Sequence, residues 1–171
     1  MIEARAVRLR PLRPEDLDAL AEVVDGVVSA GAAEAQERLR VRLAHSGRFV
    51  DGRLDLAIET DGDLVGDVSA RRPQGAFPPG VVELGISLLP AYRGLGLGTT
   101  AVRLITDRLF RDEQAERVQA STDADNVAMR RVLEKLAFVE EGVMRAFMPT
   151  GEGRADYVLY GVTKAEWEAR D

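Results

Sequence analysis

The sequence predicts a mixed α/β (α+β) fold, a twisted sheet of about seven strands flanked by helices and built as one domain over residues 1–171. Apolar periodicity carries the prediction, because segments of period 2 and period 3.6 follow one another in the order β, α, α, β, β, β, α, β, α, β, β. A glycine-rich turn where the fourth strand passes into the third helix marks the middle of that order. Length agrees, since 171 residues are enough to bury one core without a metal or cross-links.

The elements follow in chain order. Ala6 to Leu12 alternates as a strand and runs into Arg13-Pro14-Glu15-Asp16, a proline-led acidic helix start, after which Leu17, Leu20, Ala21 and Val24 recur at helical spacing. A second helix covers Ala32 to Ala44, with Ala35, Leu39 and Leu43 on one line and Gly31 and Gly47 at its ends. Leu54, Leu56 and Ile58 alternate with polar or small residues, and Asp61-Gly62 turns the chain into Leu64 to Ala70, a hairpin signal. Arg72 to Gly80 is loop by composition. Val81 to Leu89 then reads as a buried strand that stops at Pro90. From Leu97, residues Ala101, Leu104, Ile105 and Leu109 form a helical stripe. Arg117 to Thr122 is a short strand, and Met129, Val132, Leu133 and Leu136 are the apolar face of the next helix. Phe138 to Met148 and Arg154 to Tyr160 flank a Thr150-Gly151-Glu152-Gly153 turn, and Thr163 with Glu166 makes a capping box for a last short helix.

Composition excludes several function classes. The balance of 23 basic against 29 acidic residues, net charge −6, and the lack of a basic stripe argue against nucleic acid as a partner. Without cysteine there is no disulfide framework, thiolate metal site or cysteine nucleophile. The single histidine, His45, reads as a helix-end residue rather than part of a metal site, so no metal is expected. Neither a cleavable leader nor a membrane-length apolar window is visible, and a cytoplasmic protein with no membrane partner is expected.

The stretch Glu83 to Thr100, ELGISLLPAYRGLGLGTT, is the most informative. A strand enters a turn with glycines at alternate positions, and the turn opens a helix. Glycine permits positive φ and close approach to bare backbone. Consecutive N–H groups there form an anion-binding nest, reinforced by the donors and dipole of the helix start, so a diphosphate is the natural guest. Three diphosphate readings compete. A P-loop requires a lysine after its last glycine, whereas Gly98 is followed by Thr99-Thr100. A dinucleotide fingerprint is formally present in Gly96-x-Gly98-x-x-Ala101, with Asp123 or Asp125 as the ribose acid, yet the following elements do not form a run of βαβ units. The third reading is a loop for the coenzyme A pyrophosphate.

Arg93-x-x-Gly96-x-Gly98 resembles the pattern of the GNAT N-acetyltransferase superfamily: Arg or Gln, two residues, Gly, one residue, then Gly or Ala. The preceding strand, the later stretch Asn126 to Phe138 (NVAMRRVLEKLAF) and the amino-terminal VRLRPLRPEDLDAL are also similar to the family, so the likeness runs over nearly the whole chain. It is nearest the branch containing the ribosomal-protein N-terminal acetyltransferases. This resemblance implies a largely antiparallel GNAT-type sheet and acetyl-CoA as cosubstrate. It also implies that main-chain groups of Ile86, Ser87 and Leu88 lie along the pantetheine arm, and that Arg93, Gly94, Leu95, Gly96, Leu97, Gly98 and Thr99 wrap the pyrophosphate. Asn126 would touch the arm or simply cap the next helix, two compatible roles.

Transfer to an amine needs a neutral nitrogen, an aimed lone pair and an oxyanion donor. An alkyl ammonium with pKa about 10 must first lose a proton, so a base is expected. Glu83 is the candidate, on the strand feeding the loop and in an otherwise apolar run where burial would raise its pKa; a salt-bridged structural glutamate is the competing reading. Strand alternation puts Glu83, Gly85 and Ser87 on one face. A tyrosine acid and a serine that relatives carry in the second motif are replaced by Leu133 and Met129, and the glycine before its last phenylalanine is Ala137. Tyr92, Tyr157 and Tyr160 could substitute only if the fold brings one close. Ser121, Thr122, Asp123 and Asp125 could face the cleft or serve as turn and cap residues. Trp167 reads as packing.

Two function classes lead, with a nicotinamide enzyme on the dinucleotide reading as a third possibility. The first is an enzyme moving acetyl from acetyl-CoA to a primary amine, a protein N-terminus or a small molecule, by direct attack in a ternary complex, since no cysteine exists for an acyl-enzyme. The second is a non-catalytic acyl-CoA-binding or sensing domain of the same fold. The resemblance implies that acceptor identity rests on Asp25 to Gly47 and Gly142 to Ala155, which carry no readable signature. The last strands could also pair two subunits into a homodimer.

Overall fold

The computed structural model describes residues 6–24, 32–44, 46–72, 75 and 77–170. Its elements are β1 (Val7–Arg10), α1 (Asp16–Val24), α2 (Ala32–Ala44), β2 (Arg53–Thr60), β3 (Asp63–Arg71), β4 (Val81–Leu88), α3 (Leu97–Arg111), β5 (Arg117–Asp123), α4 (Val127–Lys135), β6 (Val139–Thr150), β7 (Gly153–Thr163) and α5 (Lys164–Glu168). The element order is the one the periodicities predict. Gly31, His45, residues 25–30 and the side chains of Val24 and Ala35 lie outside the described residues.

The seven strands form one sheet in the order β1-β2-β3-β4-β5-β7-β6. Every neighbouring pair is antiparallel except β4 with β5. That one parallel pair, with α3 as its crossover, removes the dinucleotide reading of the glycine turn, which needs successive parallel βαβ units.

Alternation along the strands sorts side chains onto two faces. Leu54, Leu56 and Ile58 of β2, Val82 and Leu84 of β4, and Val118 of β5 lie in the main core with Ala101, Val102, Ile105 and Leu109 of α3. Each leucine, isoleucine or valine there stabilises the fold by about 1.5–3 kcal/mol through burial. The opposite face carries α1 and α2, where Leu12, Leu20, Leu39 and Ala57 make a smaller core. This second face also holds ions. Arg42 of α2 donates to Asp55 at 2.7 Å and also to Asp67, both aspartates being buried. Burial pushes the Asp67 carboxyl above its ordinary value and outweighs the opposing charge of Arg42.

The strand ends show local causes. β1 stops at Arg10 because Pro11 offers no N–H to a ladder. β6 and β7 run longer than the apolar pattern, meeting at Thr150 and Gly153 across the two residues Gly151 and Glu152. Thr163 and Glu166 form the expected capping box, and Trp167 packs on Phe110 and Phe138 at centroid distances of 6.0 and 6.1 Å. Asp16 is the acidic residue at the α1 start, and it is buried, receiving Arg10 at 2.7 and 2.9 Å and the Arg13 N–H at 2.7 Å. Among the described residues no helix is long and apolar enough to cross a membrane.

Candidate active site

The site begins where a ladder ends. β4 and β5 pair only through Val81 with Arg117, Val82 with Val118 and Glu83 with Gln119. Beyond Glu83, β4 continues to Leu88 and β5 to Asp123, and the two strands are no longer paired. Their parting leaves a cleft with β4 as one lip and β5, β7 and β6 as the other.

Main-chain directions along β4 decide which residues serve that cleft. Leu89 N–H bonds back to Val65 O at 2.9 Å, and a Cβ placed on Gly66 would collide with the Ser87 carbonyl. Residues 87 and 89 therefore turn their polar groups toward β3, and by alternation Leu84, Ile86 and Leu88 turn theirs toward the cleft. Of the three residues expected along the arm, Ile86 turns its main-chain groups and Leu88 its N–H into the cleft unpaired, while the Leu88 carbonyl accepts from Arg93 Nε. Ser87 contributes only a side chain, on the face where it is paired with Asp67.

At the open end of β4 the glycine turn has the geometry its composition requires. Gly94 and Gly96 take φ of 74° and 78°, and nothing lies within 4 Å of a Cβ built on either. Gly96 is the left-handed N-cap of α3, without a side-chain cap. Thr100 N–H reaches Gly96 O at 3.4 Å, and among the described residues the N–H groups of 94 to 99 find no backbone acceptor. Six donors at a helix start, with open space over two glycines, fit an anionic diphosphate. Gly98 differs, because a Cβ there would meet Leu88 Cδ1 at 3.4 Å, an ordinary van der Waals contact, so the α3 start rests on β4 at this position. Arg93 folds back, its Nε donating to Leu88 O at 3.0 Å, and closes the turn from strand to helix. Leu97 is buried in the core, while Leu95 is exposed at the turn, as is Val127 at the start of α4.

Glu83 sits at the apex of the cleft, level with the last rung between β4 and β5. The β3–β4 register has no bulge, so Glu83, Gly85 and Ser87 do share one face, opposite Val82 and Leu84. Its surroundings differ from the expected apolar pocket. The side chain is 23% exposed and pairs with Arg71 at 3.2 Å, its neighbour across β3. Arg71 gives no sign of this partnership in sequence, since only the antiparallel register brings a residue twelve positions away alongside.

The remaining candidates separate by face. Thr122 is buried on the core side, whereas Ser121 and Asp123 alternate onto the cleft side. Asp123 accepts the Asp125 N–H at 2.8 Å, a turn that leads into Asn126, whose side chain accepts the Met129 N–H at 3.1 Å. Asn126 is thus a true N-cap of α4 and an exposed residue. Leu133 is fully buried and Met129 packs against the core, so the positions where relatives hold an acid are here core positions. Tyr160 is buried, with its hydroxyl engaged by Arg130, Glu134 and Glu140 at 3.1–3.2 Å, and Tyr92 packs on the core. Tyr157 alone among the tyrosines is paired with Asp123 on the cleft face. Partial burial, reinforced by the Asp123 charge, raises its pKa, so its phenol stays protonated.

The family described as acetyltransferase (GNAT) domain matches residues 6–139. YjcK of Bacillus subtilis, provisionally described as an N-acetyltransferase, is 36% identical over 87 residues, which is 50% of this chain but only 47% of that protein. YdaF of the same organism, provisionally described as a ribosomal N-acetyltransferase, is 24% identical over 95% of this chain and 93% of its own. Among solved structures, Mycobacterium smegmatis RimJ in complex with a CoA-disulfide superposes with a TM-score of 0.75 at 24% identity, covering 94% of this chain and 83% of that one.

Proposed function

The chain belongs to the acetyltransferase (GNAT) domain family, and from that premise we propose that it transfers acetyl from acetyl-CoA to a primary amine, a peptide N-terminus or a small molecule, by direct attack in a ternary complex. One observation carries the reading: a strand lip with the Ile86 main chain and the Leu88 N–H unpaired, the Leu88 carbonyl being taken by Arg93, leads from Glu83 to a turn with six free N–H donors. From Glu83 to Leu88 the lip spans about 16 Å at roughly 3.3 Å per residue. An extended pantetheine arm lies along such a lip, with its diphosphate on residues 93 to 99 and its thioester toward Glu83. The coenzyme A in the RimJ structure supports the same cosubstrate. That all seven strands share one sheet supports reading residues 1–171 as one domain.

Acetyl-CoA supplies the thioester, whose carbonyl carbon the amine attacks while the carbon–sulfur bond breaks and coenzyme A thiolate leaves. The Ile86 N–H, aimed into the cleft, is the donor for the developing oxyanion. Glu83 takes the ammonium proton, directly or through water, and its pairing with Arg71 holds the carboxylate at the apex. Asn126 caps α4 and offers its free amide to the arm. With Leu133 and Met129 in the core positions, the leaving thiolate is protonated by solvent.

Two measurements test the proposal. Isothermal titration with coenzyme A and with a pantetheine fragment lacking the diphosphate reports whether the loop holds the anion, and equal affinity for both would sink the loop reading. Thiol release from acetyl-CoA over an amine panel reports transfer. Tight coenzyme A binding with no thiol release for any amine would establish instead a non-catalytic coenzyme A-binding domain.

A further inference from the structure

The lip opposite Glu83 is interrupted twice along β6, by a one-residue shift between Glu140 and Gly142 and by a wider one after Met144. Tyr157 of β7 pairs with Asp123 on one side and Met144 of β6 on the other, but after Met144 the ladder breaks. Arg145, Ala146 and Phe147 stand against Asp156 alone before pairing resumes at Met148 and Ala155. Ala146 takes φ 49°, a left-handed conformation that costs a non-glycine residue about 1–2 kcal/mol.

This bulge is held from three directions. Asp156 Oδ1 accepts the Ala146 N–H at 2.7 Å, Arg154 Nε donates to Ala146 O, and Arg154 Nη2 donates to Phe147 O at 2.7 Å. The Asp156 main-chain carbonyl meanwhile accepts the Ala124 N–H at 2.9 Å. One residue therefore ties the bulge to the turn that carries Asp123 and Asn126. The outcome is the position of Phe147, whose ring lies 5.6 Å from that of Tyr157 at 48° and yet remains 44% exposed. Met144, Met148 and Leu159, all half-buried, extend the apolar surface around the pair.

A strained bulge fixed by two charged side chains re-aims a side chain, and here it aims an aromatic ring over the cleft-side face beside Asp123. We infer that Phe147 and Tyr157 form a wall of the acceptor site selecting a primary amine whose body is apolar or aromatic, with Asp123 facing its ammonium and Asp156 and Arg154 as positioning residues. The inference rests on the transferase reading above. Asp123 and Asp156 each spend one carboxylate oxygen on a backbone N–H, of Asp125 and of Ala146, and it is the aromatic pair beside Asp123 that suits a monocation with an apolar body better than a polycation.

The test is calorimetric and needs no turnover. The protein is titrated with 2-phenylethylamine, ethanolamine and putrescine, with and without coenzyme A. Wild type is expected to prefer 2-phenylethylamine over ethanolamine by about tenfold or more, the scale of burying a ring against an apolar surface. Phe147→Ala should erase most of that preference while coenzyme A affinity stays put. Asp156→Ala should mimic it, and Asp156→Asn, whose amide oxygen can still accept the Ala146 N–H, should restore it. Equal binding of the three amines by wild type, tightest binding of putrescine, or an unchanged preference in Phe147→Ala would each overturn the wall. Failure to bind coenzyme A would instead overturn the transferase reading and leave the amine preference to stand or fall by its own titration. Phe147 is exposed on an edge strand, so its variant folds even if Asp156→Ala does not.

Discussion

Glu83 and Gln119 form the last rung between β4 and β5, and the cleft opens directly beyond them. The β4 lip consequently has a closed end marked by a carboxylate and an open end marked by a glycine turn. Chemistry placed at one end and anion binding at the other should respond to different substitutions.

The open end predicts a contrast between two glycines. Gly96 has φ 78°, with no protein atom within 4 Å of the place a Cβ would take, while Gly98 has ordinary space, its Cβ 3.4 Å from Leu88 Cδ1. Gly96→Val should lose about 1–2 kcal/mol to backbone strain, equivalent to a fall in Tm of about 2–8 °C at this chain length. Coenzyme A affinity should fall further, by about tenfold or more as charge-assisted N–H contacts are lost. Gly98→Ala should keep stability. Thermal melts and coenzyme A titrations of both variants decide this, and a Gly96→Val protein that melts early but binds normally would make that glycine purely structural.

Arg93 predicts a subtler effect. Its Nε donates to Leu88 O and braces the turn, so Arg93→Ala should weaken coenzyme A binding by about two- to tenfold, the scale of one net hydrogen bond. Glutamine, the other residue of the family pattern, also carries an N–H that can reach that carbonyl, and Arg93→Gln should recover most of the loss. If Arg93→Lys recovered it fully and Arg93→Gln not at all, direct charge on the phosphates rather than bracing would be the role of Arg93.

Acid stability follows from the cluster beneath β1 and β2. Burial pushes the Asp16 carboxyl up, but hydrogen bonds and charges from Arg10 and Arg13 outweigh it, and the net shift is downward. The hydrogen bond from Arg10 holds Glu59 low as well. Both folded pKa values lie below the unfolded ones near about 4, so the stability they contribute is full above that pH and is lost as pH falls through the folded values. Urea midpoints measured from pH 6 to pH 3 should decline. Arg10→Met should lower the plateau and flatten the decline, and a variant with the wild-type slope would place the acid sensitivity elsewhere.

How much of this was legible in the sequence depends on whether a feature is local. Gly94 and Gly96 could be read because positive φ writes itself as glycine, and the capping box of Thr163 and Glu166 because it closes within one turn. The parting of β4 and β5 could not, since nothing in either strand signals that pairing stops after three rungs. Nor could the bulge at Ala146, where a non-glycine residue is held at φ 49° by Asp156 and Arg154 from the next strand. Leu133 shows the reverse case: reading it as a missing acid was possible from a motif, but its complete burial explains why Leu133→Tyr should overpack the core by about 1–3 kcal/mol rather than restore an acid.

The closed end carries the last prediction. Glu83→Gln keeps shape and a hydrogen-bond acceptor for Arg71 but removes the proton acceptor, so turnover should fall by about two to four powers of ten while coenzyme A affinity is unchanged. Arg71→Gln separates holding from chemistry: it frees the Glu83 side chain from its ion pair, and a modest loss of kcat with an intact pH profile is expected. The pH dependence of kcat/KM distinguishes the two roles. If Glu83 is the base, the rising limb in wild type contains an ionisation that Glu83→Gln lacks and Arg71→Gln retains. An acceptor amine's own ionisation produces a similar limb, so acceptors of different pKa must be compared, and only the part of the limb that does not move with the amine belongs to the protein. Wild-type turnover and profile in Glu83→Gln for every acceptor would take Glu83 out of the mechanism, leaving Ser121 and Asp123, the polar residues of β5 on the cleft face, as the route for a water-relayed proton.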